Sequence, residues 1–143
     1  MKQKHKIVID TNLWISFLLS KKFNFIDRLL DNGRVELIFC NELLSELVEV
    51  ASRPKLRKFF TSEGWALIFE IIDRYAVNVS VVSSVTICRD AKDNFLLSLA
   101  KDSKADFLLT GDNDLLVLKS FDGTQIITIR DFQTITMLGG FSS

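Results

Sequence analysis

Short apolar segments alternate along this chain with segments of helical periodicity, and this alternation constrains the fold more than any other feature. Each predicted strand is brief, and its residues are mostly apolar or β-branched. The predicted strands span residues 6–10, 35–40, 77–85, 105–109 and 125–129. Strands that alternate with helices in this way favour an α/β fold with three layers around a mostly parallel sheet.

Helix signals separate the strands. Thr11 or Asn12 can cap the first helix, Asn41 can cap a helix that stops before Pro54, and Asp90 can cap another. In a parallel sheet, binding sites form at the carboxyl ends of the strands, so the residues after each strand are the first candidates for function. The predicted helices span residues 11–19, 24–31, 41–52, 63–75, 91–103, 112–119 and 131–138.

Size and composition predict a single cytoplasmic domain over residues 1–143. A chain of this length can bury roughly 68–70% of its unfolded surface, so it needs no disulfides. Cys40 and Cys88 are too few for a disulfide framework and are expected to be buried, with no role in function.

The 18 basic and 18 acidic side chains cancel, which argues against purely electrostatic binding of nucleic acid. We find no signal-peptide pattern and no apolar run near the roughly 18 residues of a membrane helix.

The histidine content excludes several classes of chemistry. His5 is the single histidine, and we expect it in a mobile N-terminal tail. This argues against a Ser-His-Asp triad and against a zinc site built from several histidines. Any catalysis by this chain is therefore expected to depend on carboxylates.

Carboxylates follow two of the predicted strands and begin one of the predicted helices. Asp10 ends the first strand and Asp112 follows the fourth, so they would be neighbours if these strands lie side by side. Asp93 lies in the first turn of the helix that leads into the fourth strand, and Glu46 is the glutamate nearest the apolar edge of its helix. Each acid also has a structural explanation, as a helix cap or as part of a solvated helix face.

The combination of these acids favours a metal site. Carboxylates that converge on one cleft repel one another unless a cation is present. Oxygen ligands without histidine or cysteine suit Mg²⁺ or Mn²⁺. Because cations held by carboxylates commonly serve phosphate-ester hydrolysis, we interpret the acids as a metal site for that chemistry.

Six short motifs occur in order along nearly the whole chain. They are IDTN at 9–12, LLSEL at 43–47, SRPK at 52–55, RDAKDNFL at 89–96, ADFLLTGDNDLL at 105–116 and IIT at 126–128. Each motif is weak alone. The ordered set resembles the PIN domain family, and in particular the bacterial toxin-like PIN proteins related to the VapC-type ribonucleases of toxin–antitoxin pairs.

The resemblance implies a sheet of about five parallel strands between helices, with an acidic pocket that binds Mg²⁺ or Mn²⁺ and cleaves single-stranded or looped RNA. By position, the implied catalytic residues are Asp10, Glu46, Asp93 and Asp112, and Glu46 could either bind the metal or position water. Polar residues that orient ligands or water are matched by Asn12 and Thr110. The implied metal ligands are Asp10, Asp93, Asp112 and Asp114.

A basic segment follows the predicted helix that carries Glu46. Its cations suit contact with the phosphate backbone of RNA, although a solvated helix start explains the same pattern equally well. Large apolar side chains between Phe59 and Phe69 suit a dimer interface or base stacking. The resemblance implies a homodimer and a partner antitoxin that covers the acidic pocket. The basic residues are Arg53, Lys55, Arg57 and Lys58.

Other functions compete with this interpretation. A phosphatase of the haloacid dehalogenase type needs a second aspartate where this chain has Asn12, and a receiver domain needs a lysine where it has Ile129 and Arg130. A non-catalytic PIN scaffold that binds RNA or protein is a further alternative, although all four expected acids are present.

Overall fold

The computed structural model describes residues 5–20 and 33–137, and the predicted helix at residues 24–31 lies outside them. Within the described residues, strands and helices alternate along the chain. In order they are β1 (His5–Ile9), α1 (Thr11–Ser20), β2 (Val35–Phe39), α2 (Asn41–Ala51), a 3₁₀ helix (Arg57–Phe59), α3 (Ser62–Tyr75), β3 (Ala76–Asn78), α4 (Ala91–Ser103), β4 (Phe107–Leu109), α5 (Asn113–Leu116), β5 (Ser120–Phe121), β6 (Thr124–Ile127) and α6 (Ile129–Met137).

The strands form one sheet in the order β3-β2-β1-β4-β6-β5. Neighbouring strands are parallel except for β5 and β6, which are antiparallel. The helices flank this sheet, with α3 against β2 and β3 and α4 against β1. The predicted α/β fold with a mostly parallel central sheet is confirmed, and the described residues contribute six strands where the sequence indicated about five.

The two central strands, β1 and β4, are buried throughout most of their length. Ile7, Val8 and Ile9 of β1 and Leu108 and Leu109 of β4 have no solvent exposure. Strands covered on both faces carry continuous apolar runs, which is why these short segments are recognisable in the sequence. β1 and β4 pair in parallel with Ile9 opposite Leu109, so the chain leaves both strands at the same edge of the sheet.

The predicted strand at residues 77–85 is much shorter than expected. Ala76–Asn78 pairs with β2, which ends at this point. Beyond it, Asp102 of α4 accepts hydrogen bonds from the backbone N–H groups of Val82 and Ser83, at 2.7 and 2.8 Å. Because a helix side chain binds these backbone donors, the β-branched run does not continue the sheet.

A strand that the sequence analysis did not identify, β5, forms a hairpin with β6. The turn is made by Asp122 and Gly123, whose φ angles are 51° and 87°. Asp-Gly is a favoured pair for hairpin turns that need positive φ at both positions. The signal for this strand was therefore present in the sequence as the dipeptide itself.

The caps of two helices have different outcomes. Of the candidates for the cap of α1, which were Asp10, Thr11 and Asn12, Asp10 fills the position, since its Oδ1 accepts a hydrogen bond from the Asn12 backbone N–H at 3.1 Å. Cys40 occupies the cap position of α2 that we expected for Asn41, and its side chain makes no capping hydrogen bond.

The ends of three C-terminal elements also differ from the prediction. The predicted strand at residues 125–129 ends at Ile127. The hydroxyl of Thr128 then accepts a hydrogen bond from the Asp131 backbone N–H at 3.1 Å, which starts α6 two residues early. α5 covers only the first part of the predicted helix at residues 112–119.

The single histidine and the two cysteines differ in part from what the sequence predicts. His5 is the first residue of β1 rather than part of a mobile tail, and its Nδ1 lies 3.8 Å from an Asp106 carboxylate oxygen. Cys40 is buried, Cys88 is half-buried, and both are free thiols. In the part of the chain that the structure describes, no helix has the length and apolar character needed to cross a bilayer.

Candidate functional site

The carboxyl ends of β1 and β4 bring two predicted acids together. Asp10 follows β1, and its backbone N–H donates to the Leu109 carbonyl oxygen at 3.0 Å. The hydroxyl of Thr110 donates to Asp10 Oδ2 at 2.8 Å and accepts from the Asp112 backbone N–H at 3.0 Å. Thr110 thereby links the two strand ends and fixes the orientation of the Asp10 carboxylate.

The first turn of α4 supplies a third acid. Asp93 is the third residue of α4, and Asp90 is the N-cap. Asp93 is only 5% exposed, and its Oδ2 has no hydrogen-bond partner among the described residues. A buried polar atom without a partner costs roughly 1–3 kcal/mol, and more when it is charged. This oxygen is therefore available to a ligand.

A cleft of about 210 Å³ collects these acids together with Glu46 of α2. Four predicted catalytic acids and the predicted supporting residue Asn12 share this cleft, and Thr110 lies behind it, bonded to Asp10. Asp90, which the sequence indicated only as a cap, also lines it. The full lining is Asp10, Asn12, Glu46, Val50, Arg53, Asp90, Lys92, Asp93, Leu96 and Asp112.

Three of the acids also cap helices, so the structural and functional explanations are compatible. Asp10 caps α1, Asp90 caps α4 and Asp112 caps α5, with hydrogen bonds of 3.1, 2.9 and 2.9 Å. In each case the capping atom is Oδ1. The cap fixes the carboxylate, and its second oxygen can accept another partner because an ionised carboxylate has about four acceptor positions.

Burial and the proximity of the other acids change the proton affinity of Asp93 and Asp10. Burial raises the pKa of Asp93 to about 7, and the next causes are the negative charge of Asp112 and a hydrogen bond with it, followed by the charges of Asp90 and Asp10. Burial also raises the pKa of Asp10, although the hydrogen bond from Thr110 opposes this shift. A divalent cation bound at the site would compete with protons for these two carboxyls.

Asp114 lies at the edge of the acid cluster, where Arg89 binds it. One oxygen from each of Asp93, Asp112 and Asp114 lies within 4.8 Å of the others. Arg89 Nη2 donates to both Asp114 oxygens, at 3.1 and 2.9 Å. Asp114, a predicted metal ligand, is therefore near enough to share a cation with the other two acids, but its carboxylate is bound by a guanidinium.

The structure brings one of the four predicted RNA-binding cations into the cleft. Arg53 lines the cleft, and its Nη2 lies 3.1 Å from Oε2 of Glu49 in α2. Lys55, Arg57 and Lys58 lie on the following loop and 3₁₀ helix and are not part of the cleft lining in the described residues.

Lys92, which was not predicted from the sequence, lines the cleft from the first turn of α4. Its position beside Asp93 in a helix start was the available signal.

Comparison with known proteins identifies the family. The family model of the PIN domain matches residues 6–114. The chain belongs to the PIN domain family. A relative, the Uncharacterized protein MJ1680 of Methanocaldococcus jannaschii, is 34% identical over 122 residues, which cover 82% of this chain and 77% of that protein.

Family membership gives the site a general chemical context. PIN domains are generally nucleases, and they usually need a divalent metal ion. The described residues contain a matching acidic group in Asp93, Asp112 and Asp114. The name of the relative from Methanocaldococcus jannaschii states neither a substrate nor a toxin role.

Because the pKa of Asp93 is higher in the folded protein than in the unfolded chain, the metal-free protein should lose stability as pH rises. The unfolded chain releases this proton near the ordinary value of 3.8, whereas the folded protein retains it to about 7. Folding therefore becomes less favourable across this interval and then levels off. Thermal unfolding in a chelator should give a lower melting temperature at about pH 8 than at about pH 5.

Asp93→Asn should flatten this pH dependence, since the amide does not titrate. Asp122→Asn makes the same exchange in the exposed hairpin turn, where asparagine also tolerates positive φ, and should keep the wild-type slope. Equal slopes for the two variants would contradict the assignment of the titration to the acid cluster.

Proposed function

We propose that this protein is a metal-dependent endoribonuclease that hydrolyses phosphodiester bonds of single-stranded or looped RNA. The observation that carries the proposal is the buried, unpartnered Oδ2 of Asp93 in a cleft shared with four other acids. The cleft is small, and an extended single strand or a loop fits such a site better than a duplex does.

The donor set fits Mg²⁺ or Mn²⁺. In the described residues the cleft offers carboxylate oxygens and no imidazole or thiolate, which suits hard cations. Asp10, Asp93 and Asp112 would hold the cation, with Asp114 as a further ligand. When bound, such a cation neutralises phosphate charge and lowers the pKa of water.

The chain's own residues have separate roles in this proposal. Thr110 holds the Asp10 carboxylate in one orientation through its 2.8 Å hydrogen bond. Glu46 either joins the ligands or orients the attacking water. Arg53 and Lys92 oppose the negative charge of the acids and contact the phosphate backbone, which positions RNA without reading its sequence.

Cleavage of an end-labelled mixed RNA pool tests the proposal. The purified protein should cut RNA in Mg²⁺ or Mn²⁺, and a chelator should abolish cutting. Asp112→Asn is nearly isosteric and removes one charge, so it should lower the cleavage rate at least about a hundredfold, because it weakens the hold on the cation that would neutralise the developing phosphate charge. Asp122→Asn should cleave at the wild-type rate because it makes the same exchange in an exposed turn.

The outcomes separate the alternatives. RNA binding without cleavage in the metal-loaded protein would contradict the nuclease proposal and favour a non-catalytic scaffold. Release of phosphate from a small monoester, with no cut RNA, would favour a phosphatase. Cutting that persists in Asp112→Asn would contradict the assigned site.

We further propose that residues 1–143 form one PIN domain that acts in the cytoplasm as the toxin of a toxin–antitoxin pair. The support is the ordered set of motifs, which resembles the VapC-type toxins, and an antitoxin would cover the acidic cleft. Expression of the wild type should arrest the growth of a bacterial host, and expression of Asp112→Asn should not. Normal growth with both proteins would contradict the toxin role.

We propose that the protein is a homodimer through an apolar groove between α2 and α3. The groove has a volume of about 550 Å³. Trp65 stacks on Phe69 with ring centroids 5.7 Å apart, and Phe69 and Val48 are exposed large apolar side chains. Contiguous exposed apolar surface of this kind is typical of protein interfaces. The lining is Val48, Ser52, Ser62, Trp65, Ala66 and Phe69.

Phe69→Lys should convert the dimer to a monomer of 16.3 kDa in sedimentation equilibrium, since it places a charge in the groove. Val82→Lys places the same charge at another exposed apolar position, outside the groove, and should leave the dimer intact. A wild-type protein that sediments as a monomer would contradict the homodimer proposal.

A further inference from the structure

We propose that Arg89 is a positioning residue that competes with the divalent cation for the carboxylate of Asp114. The inference rests on the proposed metal-dependent function, because it concerns the same site. In the structure Arg89 binds both oxygens of Asp114. Asp114 would therefore become a metal ligand only when its ion pair with Arg89 opens.

The caps of two helices hold Arg89 and Asp114 beside the other acids. Asp112 caps α5 by accepting a hydrogen bond from the Asp114 backbone N–H at 2.9 Å. Arg89 directly precedes Asp90, the N-cap of α4. The backbone positions of both partners are thus fixed at the rim of the cleft, and only their side chains need to move for the ion pair to open.

Two alternative partners are within reach of the Asp114 carboxylate. On one side, an oxygen of Asp114 lies within 4.8 Å of oxygens from Asp93 and Asp112, close enough for one cation to contact all three. On the other side, Arg89 Nη2 lies 2.9 Å from Asp114 Oδ2. A guanidinium and a divalent cation on the same carboxylate repel each other, so occupation by one disfavours the other.

The ion pair is accessible and can exchange. The Arg89 side chain is 86% exposed and the Asp114 side chain 48% exposed. Ion pairs this open to water contribute little to stability, so the cost of opening is small. Arg89 uses only Nη2 for both hydrogen bonds, which leaves its other guanidinium donors outside this ion pair.

The position of Asp93 supplies independent support for a cation on the acid side. Its Oδ2 is buried and has no partner among the described residues, whereas the Asp114 oxygens are both bound by Arg89. A cation that satisfies Asp93 is drawn toward the oxygen of Asp114 as well. Arg89 therefore lowers the affinity of the complete site without contacting the cation itself.

Titration of Mn²⁺ with the full-length protein, followed by the electron paramagnetic resonance signal of free Mn²⁺, measures this competition without RNA. Arg89→Gln should tighten Mn²⁺ binding about two- to fivefold, which corresponds to the release of one exposed ion pair. In an Asp114→Asn background, Arg89→Gln should have no effect, because the contested ligand is absent. A purely structural role of Arg89 would not depend on Asp114 in this way.

Lys92→Gln is the matched control for charge alone. Lys92 lines the same cleft, and in the described ranges its side chain forms no ion pair. Its removal should change Mn²⁺ affinity equally in the presence and absence of Asp114→Asn.

The possible results separate this inference from the proposed function. Mn²⁺ binding by the wild type, with an Arg89→Gln effect that is zero or that persists unchanged in Asp114→Asn, would overturn the competition and leave the metal site standing. If neither the wild type nor Arg89→Gln binds Mn²⁺, both the competition and the proposed metal dependence are overturned. Tighter binding in Arg89→Gln that requires Asp114 supports both.

Discussion

The hydrogen bonds of Thr110 hold the candidate site together. Its hydroxyl donates to Asp10 and accepts from the Asp112 backbone, so it joins the ends of β1 and β4. This contact exists because the two strands pair in parallel with Ile9 opposite Leu109. A shift of one residue in that register would turn the side chains after each strand to the other face of the sheet. The buried apolar runs of the central strands therefore fix the geometry of the acids.

The remaining features of the site concern how a folded protein tolerates clustered carboxylates. Asp10, Asp90 and Asp112 each place one oxygen in a helix cap, which partly offsets their mutual repulsion. Asp93 has no such compensation at Oδ2, and its burial together with the charges of the neighbouring acids raises its pKa to about 7. Arg89 and Arg53 supply positive charge at the edges. Carboxylates clustered in this way repel one another, and a cation bound among them would relieve that repulsion.

Much of this arrangement could be predicted from the sequence. The helix at residues 91–103 coincides with α4, and Asp10 and Asp112 are neighbours as the strand pattern indicated. These predictions succeed because buried strands and helix caps are determined by local residue patterns. The strand predicted at 77–85 ends at Asn78 because side chains from α4 bind the backbone beyond it, a contact between segments about 20 residues apart.

The contacts that modulate the site could not be predicted in the same way. The ion pair of Arg89 with Asp114 joins residues 25 positions apart, and no local pattern specifies it. The basic segment was assigned to RNA as a block, but only Arg53 reaches the cleft, because the chain turns into a 3₁₀ helix after it. Lys92 was overlooked because a lysine in the first turn of a helix usually belongs to a solvated helix start.

The location of a bound cation tests the central claim most directly. Crystals of the protein soaked in Mn²⁺ and measured by anomalous diffraction should show a peak in the acidic cleft, in contact with Asp93 Oδ2 and with oxygens of Asp10 or Asp112. A peak elsewhere on the molecule, or an empty cleft at millimolar Mn²⁺, would contradict the account, because the buried oxygen of Asp93 would then have no role in binding a metal.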